Sequence, residues 1–241
     1  MDDFRGKVVL ITGGSSGIGL ALAQAFAAAG AAVTVCGRDP GRLAAARGGG
    51  VEAIACDITE PDQVTALLAR LQARHGRLDI LVNNAGWMEE RDFRAAPLDG
   101  AALAAEVAAN LTAHVQVTNL ALPLIARGGA IVFVGSGYGW APWARAPVYS
   151  ACKAGVRAFA QTLRLQLANR NVAVMEVVPP AVDTPATTHR RVAKIAPERV
   201  AAATLAGLRR GRREVFVGEA AFLPWLLRLS PRLAERIVGR G

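Results

Sequence analysis

The chain has 241 residues, of which 52% are hydrophobic and 20% charged, a composition that supplies a large core and is unlike that of a disordered chain. The net charge of +9 comes mostly from arginines scattered along the chain, and no stretch matches a nucleic-acid-binding module, so we predict a solvated arginine-rich surface and no nucleic-acid partner. The cysteines, Cys36, Cys56 and Cys152, are too few and too widely spaced for a disulfide framework, and no cysteine–histidine cluster has metal-ligand spacing, so no metal site is predicted.

The first residues do not have the pattern of a secreted protein. Met1, Asp2 and Asp3 make an acidic start, and only a four-residue apolar run follows, whereas a signal peptide needs a basic start and a longer apolar stretch. Residues 20–36 resemble a membrane span, but Gln24 and Gly30 interrupt them, so a helix followed by a strand fits better. We therefore expect a soluble, cytoplasmic protein.

Strand-forming and helix-forming stretches alternate along the chain. Short apolar runs predict strands at residues 8–12, 32–36, 51–55, 78–83, 130–135, 172–178 and 214–217. Alanine- and leucine-rich stretches predict helices at residues 17–29, 42–47, 61–75, 98–126, 148–168 and 197–209.

This alternation predicts an α/β fold: a Rossmann-type, doubly wound parallel sheet of about seven strands, with helices on both faces. The predicted strands are nearly continuous apolar runs, as expected for strands buried on both sides. No linker or internal repeat divides the chain, so we predict a single domain over residues 1–241, with residues 220–241 as an amphipathic extension.

In the extension, apolar residues alternate with arginines, and Pro224 and Pro231 divide the stretch into short pieces. A cover over a substrate pocket, a subunit contact and a membrane-surface anchor all fit this pattern. The prolines interrupt any long apolar face, which favours the cover or the subunit contact over membrane contact.

A glycine-rich loop, with Gly13, Gly17 and Gly19, lies between the first predicted strand and the first predicted helix. Glycines permit a tight turn and let the backbone approach a pyrophosphate, while the helix N-terminus offers free N–H groups. The loop therefore predicts dinucleotide binding. Ser15 between Gly13 and Gly17 also matches the nucleophile elbow of a hydrolase, but His189 is the only late histidine and no upstream strands exist to supply half of an oxyanion hole.

The end of the second predicted strand bears on cofactor choice. An acidic residue about twenty positions beyond the loop would accept from the adenosine ribose and favour NAD, and Asp39 is near that distance. However, Gly37 occupies the strand end and Arg38 comes first, where a guanidinium can pair with the 2′-phosphate of NADP. We predict NADP(H) over NAD(H), with Arg42 as a second phosphate contact; a solvated loop arginine is the alternative for Arg38.

Tyr149 and Lys153 are four residues apart at the start of a predicted helix, so their side chains project from the same face. A nearby cation lowers the pKa of a tyrosine from ~10 towards the range useful for acid–base catalysis. Ser136 ends the fifth predicted strand, at the sheet edge where ligands bind, and its hydroxyl can hydrogen-bond a substrate oxygen. A plain turn residue is the alternative for Ser136.

Together these motifs resemble the short-chain dehydrogenase/reductase family. The glycine loop, the run Asn83-Asn84-Ala85-Gly86, Asn110, Ser136 and the Tyr149–Lys153 pair occur in that family's order and approximate spacing, within residues 5–218. Residues 147–149 and 178–184 are most similar to the DltE-like subgroup of that family.

The resemblance implies a role for each matching residue. It implies that Tyr149 is the general acid in reduction and the general base in oxidation, that Ser136 polarises the carbonyl, and that Lys153 holds the nicotinamide ribose and lowers the pKa of Tyr149. It implies that Asn110 holds a water linking Lys153 to solvent. Pro180 replaces the usual glycine of the family, which stiffens this segment. The implied cofactor contacts are Gly13, Ser15, Ser16, Gly17, Ile18, Gly19, Arg38, Asp57, Ile58, Asn84, Ala85, Gly86, Tyr149, Lys153, Pro179, Val182 and Thr184.

The expected function is that of an NADP(H)-dependent oxidoreductase that interconverts a ketone or aldehyde and an alcohol; the alternative is a catalytically idle NADP-binding sensor or interaction protein. Aromatic residues near the motifs favour an apolar or aromatic substrate, and the family implies a homodimer or homotetramer. The three histidines, His75, His114 and His189, have no evident catalytic partner and are predicted to be surface or structural. The candidate pocket residues are Trp87, Met88, Tyr138, Trp140, Trp143 and Thr187.

Overall fold

The computed structural model describes residues 3–95, 97–188 and 191–239, without the side chains of 235–237. Seven parallel strands form one sheet in the order β3-β2-β1-β4-β5-β6-β7. The strands are β1 (Val8–Thr12), β2 (Ala32–Gly37), β3 (Val51–Ala55), β4 (Leu78–Asn83), β5 (Ile125–Val134), β6 (Ala173–Val178) and β7 (Glu214–Phe216). The helices are α1 (Gly17–Ala28), α2 (Pro40–Ala46), α3 (Pro61–His75), α4 (Gly100–Val107), α5 (Ala113–Ala121), α6 (Pro147–Gln166), α7 (Pro197–Arg209), α8 (Leu223–Leu229) and α9 (Pro231–Gly239).

Helices cover both faces of the sheet, which confirms the predicted doubly wound fold. Successive strand residues point to opposite faces, so neighbouring positions of β1 enter different cores. Ile11 joins the core that includes Phe26 of α1 and Leu205 of α7, whereas Leu10 joins the core that includes Leu68 of α3 and Val156 of α6. All residues of β1 and β4 are buried, as their apolar runs predicted.

The strand order reverses between β1 and β4, and this point positions the site. The connections after these two neighbouring strands leave in opposite directions, which opens a crevice at their carboxyl ends. Side chains hold the two ends together: the backbone N–H of Asn84 donates to Thr12 Oγ1 at 3.0 Å, and Asn84 Nδ2 donates to the carbonyls of Thr12 and Gly13 at 2.9 and 3.1 Å.

The predicted helix over residues 98–126 is wrong in its continuity and in its end. The structure has α4, a π-helical turn at Ala108–Thr112, and α5 in its place, and β5 begins already at Ile125. Ile125 pairs with Leu78, and the backbone N–H of Leu78 donates to Leu124 O at 2.9 Å. Pairing with a buried strand thus overrides the local preference of this apolar stretch for a helix.

Smaller shifts occur at other ends. Helix α2 begins at Pro40 rather than at residue 42, because the Asp39 carboxylate caps it by accepting from the backbone N–H of Arg42 and proline suits a first helical position. In the C-terminal extension, Leu223 and Ala234 pack with Ala141 in a small separate cluster. Within the described residues, no helix is both long and apolar enough to cross a bilayer.

Candidate active site

A cleft of about 1130 Å³ extends along the carboxyl ends of the strands. The glycine loop after β1 lines one part of it, and Ser136, Tyr149 and Lys153 line another. Most of the predicted site residues therefore border one cavity. The predicted residues that line it are Gly13, Ser15, Ser16, Gly17, Ile18, Arg38, Asp57, Ile58, Asn84, Ala85, Gly86, Ser136, Tyr149, Lys153, Pro179, Val182 and Thr184.

Two predicted residues, Gly19 and Asn110, lie behind this lining. A Cβ on Gly19 would overlap the carbonyl oxygen of Gly13 and approach Asn84 Nδ2 to 2.6 Å, so Gly19 lets α1 pack closely under the loop. Asn110 lies in the π-helical turn and is fully buried. Both residues support the lining from behind.

The glycine loop forms a shallow cradle, and a side chain at Gly13 or Gly17 would collide with neighbouring residues. Gly13 and Gly17 have φ angles of +63° and +51°, which favour glycine. A Cβ on Gly13 would lie 2.8 Å from Ala85 Cα, and one on Gly17 would lie 2.9 Å from Thr184 Cγ2. The Ser16 side chain makes no capping hydrogen bond at the N-terminus of α1, which suits the binding of an anion such as a pyrophosphate to the first N–H groups.

Charged side chains lie beside the glycine loop, near the carboxyl ends of β2 and β3. The Arg38 guanidinium lies 3.5 Å from the Asp57 carboxylate, and both residues line the cleft. Although partial burial opposes it, hydrogen bonds from Thr59 and the Arg38 cation hold the pKa of Asp57 below its usual value. Asp39 instead caps α2 and pairs with Arg42 at 3.4 Å. The cleft therefore presents arginines at this end, and the nearby acid Asp39 is engaged in the helix cap.

The Tyr149–Lys153 pair lies at the start of α6. Lys153 is 3% exposed, its Nζ donates to the Val134 carbonyl at 2.9 Å, and the same atom lies 5.5 Å from the Tyr149 ring centroid. Burial lowers the pKa of Lys153 to about 8. The ammonium lies beside the tyrosine ring, on the shared helix face that the four-residue spacing predicted.

Asn110 is fixed next to this pair. Its Nδ2 donates to the carbonyls of Trp87 and Glu106 at 2.8 and 3.0 Å, and its Oδ1 accepts from the backbone N–H of Trp87 at 3.2 Å. A Cβ on Gly86 would lie 2.5 Å from Asn110 Oδ1 and 3.8 Å from Lys153 Nζ, so both side chains closely approach this glycine. A π-helical turn at this point fits a functional position.

Ser136 follows β5 and precedes a short 3₁₀ turn at Gly137–Gly139. Its Oγ accepts from the backbone N–H of Tyr138 at 3.1 Å. Because the oxygen is the acceptor in that bond, the hydroxyl hydrogen remains to be donated to a ligand. The turn rests directly on α6: a Cβ on Gly139 would lie 2.7 Å from the Lys153 carbonyl carbon.

Two predicted pocket residues do not line the cleft. Trp143 is buried and its ring stacks on Tyr138. The Trp140 ring packs edge-on against Phe216, with the Arg157 guanidinium carbon 3.4 Å from its centroid. The prediction that these two tryptophans border the pocket is therefore wrong, because contacts with neighbouring side chains keep both rings out of the residues that line the cleft. The other four predicted pocket residues do line the cleft: Trp87, Met88, Tyr138 and Thr187.

Sequence reasoning missed Glu176 on β6. Its side chain is buried behind the turn that follows Ser136, where Oε1 accepts from Trp140 Nε1 at 3.4 Å and Oε2 has no hydrogen-bond partner among the described residues. Burial raises the pKa of Glu176 to about 7. The signal was present in the sequence, since Glu176 is the one charged residue of a strand that is otherwise apolar.

The structural role predicted for His114 fits its surroundings. The side chain is buried in α5, and its Nε2 lies 2.7 Å from the Ala85 carbonyl, which can only accept, so we assign the proton to Nε2. Burial and the Lys153 cation lower the pKa of His114 to about 3. His189 and its neighbour Arg190 lie outside the described residues. The described part of the chain contains no cluster of three side chains that could hold a metal ion.

The chain belongs to the short-chain dehydrogenase family, whose model, described as short chain dehydrogenase, matches residues 7–194. The chain is 36% identical over 219 residues to the uncharacterized oxidoreductase DltE of Bacillus subtilis (strain 168), and the match covers 87% of each chain. A short chain dehydrogenase from Burkholderia cenocepacia J2315 in complex with NADP is 28% identical over 98% of each chain, with a TM-score of 0.88. A short-chain dehydrogenase from Sphingobium yanoikuyae in complex with NADPH is 31% identical over 87% of each chain, with a TM-score of 0.77. The protein is thus an oxidoreductase of this family, and the predicted resemblance is confirmed.

Proposed function

We propose that the protein reduces an apolar ketone or aldehyde to the alcohol with NADPH, and catalyses the reverse oxidation with NADP. The observation that carries this proposal is that one cleft joins the glycine loop and Arg38 to Ser136, Tyr149 and Lys153. A nucleotide lying along the cleft reaches from the loop to the tyrosine. NADPH, when bound, supplies the hydride to the carbonyl carbon.

The loop and its surroundings fit the phosphates of NADP. The cradle at Gly13 and Gly17 and the uncapped start of α1 suit the pyrophosphate. Arg38 and Arg42 at the cleft edge suit the 2′-phosphate, because a guanidinium pairs with phosphate in a bidentate way. Asp39, which would favour NAD by accepting from the ribose, is engaged in the cap of α2.

Tyr149 is the proposed proton donor in reduction and proton acceptor in oxidation. The Lys153 cation near its ring favours the phenolate, which prepares the hydroxyl to exchange a proton near neutral pH. Ser136 donates its hydroxyl hydrogen to the substrate oxygen, which polarises the carbonyl and orients it towards Tyr149.

Asn110 is the proposed link from Lys153 to solvent. Both hydrogens of its amide nitrogen are already donated, to Trp87 and Glu106. A water beside Asn110 therefore donates to one of its oxygens and accepts from the Lys153 ammonium. Such a water returns to Tyr149, through Lys153, the proton that leaves in reduction.

The proposed substrate is apolar because of the side chains at this end of the cleft. Trp87 and Met88 line it from the loop after β4, and Leu223 and Leu226 line it from the C-terminal extension. Apolar walls with a few convergent polar groups are typical of small-molecule sites. The extension thus provides part of the pocket wall.

Replacing Tyr149 by phenylalanine tests the chemistry. We expect Tyr149→Phe to lower kcat by at least about 100-fold, the loss typical of a removed general acid, while the Kd for NADPH changes little. Turnover is measured by NADPH absorbance on a panel of apolar ketones and aldehydes, and a parallel NADPH titration checks that the variant still binds the cofactor. A wild-type protein that binds NADPH but reduces no member of the panel, or a Tyr149→Phe protein with full turnover, would favour an idle NADP-binding protein.

Replacing Arg38 by alanine tests the cofactor. We expect wild-type protein to bind NADPH more tightly than NADH, and Arg38→Ala to weaken NADPH by about tenfold or more without weakening NADH, since a charge-assisted phosphate contact contributes about 1.5–3 kcal/mol. Titration calorimetry measures both affinities, and Arg94→Ala removes an exposed arginine that does not line the cleft. Equal affinities for the two nucleotides would overturn the preference, and no binding of either would overturn the proposed function.

The proposed assembly is a homodimer or homotetramer, as the family resemblance implies. Light scattering on the purified protein measures its mass directly. A mass of one chain at micromolar concentration would contradict this part of the proposal.

A further inference from the structure

The outer side of the C-terminal helices carries apolar side chains that no other described residue covers. Phe222, Trp225 and Leu229 are 74%, 68% and 80% exposed. Trp225 and Leu229 are four residues apart on one side of α8, and Phe222 directly precedes this helix. Leu233 on α9 is 44% exposed. These four residues are called the C-terminal apolar patch below.

The opposite side of the same helix is already used by the fold. Leu223 is buried, and Leu226 and Leu227 pack with it against Ala141 and Ala234. Helix α8 is therefore apolar on two sides, and burial against the domain explains only one of them. A patch of several large apolar side chains on a monomer surface marks an interaction site.

The extension is divided into two short helices at Ser230 and Pro231, as the sequence predicted, but this division leaves the exposed row on α8 intact. Pro224 lies in the first turn of α8 and Pro231 is the first residue of α9, positions where proline costs no helical hydrogen bond. The break falls after Leu229, so Trp225 and Leu229 still lie within one helix.

Exposed arginines accompany the patch. Arg228 lies between Trp225 and Leu229 in sequence, and Arg232 precedes Leu233; both arginines are exposed. Large apolar side chains beside arginines are the pattern of a surface that lies in the headgroup region of an anionic bilayer. We propose that the C-terminal apolar patch docks on an anionic lipid surface, with Arg228 and Arg232 against the lipid phosphates.

A second copy of the chain is a poorer occupant. A symmetric contact through this patch would place Arg228 and Arg232 of both copies around one small interface, which adds positive charge from both sides. The four side chains also offer only roughly 500 Å², given ~150–250 Å² for a whole aromatic side chain, whereas a stable interface needs about 800 Å² from each partner. The net charge of +9 further favours an anionic partner.

Docking would place the bilayer beside the cleft. Phe222 belongs to both the patch and the cleft lining, and Leu226 lines the cleft from the same helix. An apolar substrate dissolved in the lipid would then enter without crossing water. This last step rests on the proposed function, whereas the docking itself does not.

Vesicle sedimentation at low ionic strength tests the docking. The wild-type protein, with and without NADPH, is mixed with vesicles of phosphatidylglycerol and phosphatidylcholine or of phosphatidylcholine alone. We expect at least about tenfold stronger partitioning onto the anionic vesicles, weakened by salt because headgroup contacts are screened. The double variant Trp225→Ser/Leu229→Ser should lose at least about tenfold, since it removes two of the large apolar side chains of the patch without changing the cleft lining.

The control is Leu165→Ser. Leu165 is 78% exposed, so the change removes a comparable apolar surface, but it lies near the end of α6 opposite to Tyr149, on the order of 24 Å away along the helix. We expect its partitioning to match wild type, and NADPH titration checks that each variant is folded.

Three results would overturn the docking proposal. One is equal partitioning of the wild-type protein onto anionic and neutral vesicles. Another is an equal loss in Leu165→Ser, which would indicate nonspecific adhesion. The third is a lower mass of the double variant by light scattering with unchanged vesicle binding, which would assign the patch to a second copy. Vesicle binding without NADPH binding would instead refute the proposed function and leave the docking standing.

Discussion

Glu176 is a buried carboxyl group that should make the stability of this protein depend on pH. The carboxyl group is 1% exposed, one of its oxygens has no partner among the described residues, and the Arg157 guanidinium nearby stacks on Trp140. Burial raises the pKa of Glu176 from 4.5 to about 7. The folded protein therefore holds this proton more tightly than the unfolded chain does. The stabilisation from the protonated group is fully present below about pH 4.5 and is lost as the pH rises through about 7.

Replacing Glu176 by glutamine should remove this pH dependence. We expect the free energy of unfolding of Glu176→Gln, relative to wild type, to rise between about pH 4.5 and pH 7 and then level off, by at most ~3 kcal/mol in total. Denaturant unfolding of both proteins across pH 4.5–8.5 measures this difference, in which the other titrating groups cancel. A difference that stays constant across this range would show that the group carries no raised pKa.

His114 has the opposite effect on stability. Its pKa is lowered from 6.5 to about 3, so the stability it contributes is present above pH 6.5 and is lost as the pH falls towards 3. In wild-type protein the two groups therefore oppose each other between about pH 4.5 and 6.5. This opposition explains why the difference between variant and wild type is more informative than either curve alone.

At the scale of elements, the sequence predicted most of what hydrophobic period and turn chemistry control. β1, β3, α3 and β4 have the predicted bounds, because their apolar residues and flanking glycines and prolines act locally. The glycine loop, Arg38, Ser136 and the Tyr149–Lys153 pair were placed correctly at one sheet edge for the same reason: each lies at a strand end or helix start that the local pattern marks.

The elements that could not be predicted depend on contacts distant in sequence. The π-helical turn around Asn110 coincides with hydrogen bonds to Trp87, more than twenty residues earlier, and no local pattern announces it. β5 starts early because Ile125 pairs with Leu78. Trp140 turns away from the pocket because Glu176, Arg157 and Phe216 hold its ring. In each case the contacting residue is distant in sequence and can be identified only from the folded structure.

At the scale of the whole molecule, the cleft joins both halves of the sheet. Gly13, Arg38 and Asp57 follow β1, β2 and β3, whereas Ser136 and Val182 follow β5 and β6. The two cores lie on opposite faces of the same seven strands, so neither can separate without breaking the sheet. These features support the prediction that residues 1–241 fold as one domain with the extension attached.

A single domain should unfold in one step, and the cofactor should stabilise all of it. Chains of more than about 150 residues often unfold through intermediates, so a single transition is an informative outcome. We expect one calorimetric transition, and NADPH at 100 times its Kd should add about 2.7 kcal/mol, which raises Tm by roughly 5–10 °C at a fixed protein concentration. Two transitions, or a shift confined to part of the heat absorption, would show that the half of the sheet bearing the glycine loop, or the extension that walls the pocket, folds separately from the rest. The cleft would then be a junction between independent units, and cofactor binding would be coupled to their association.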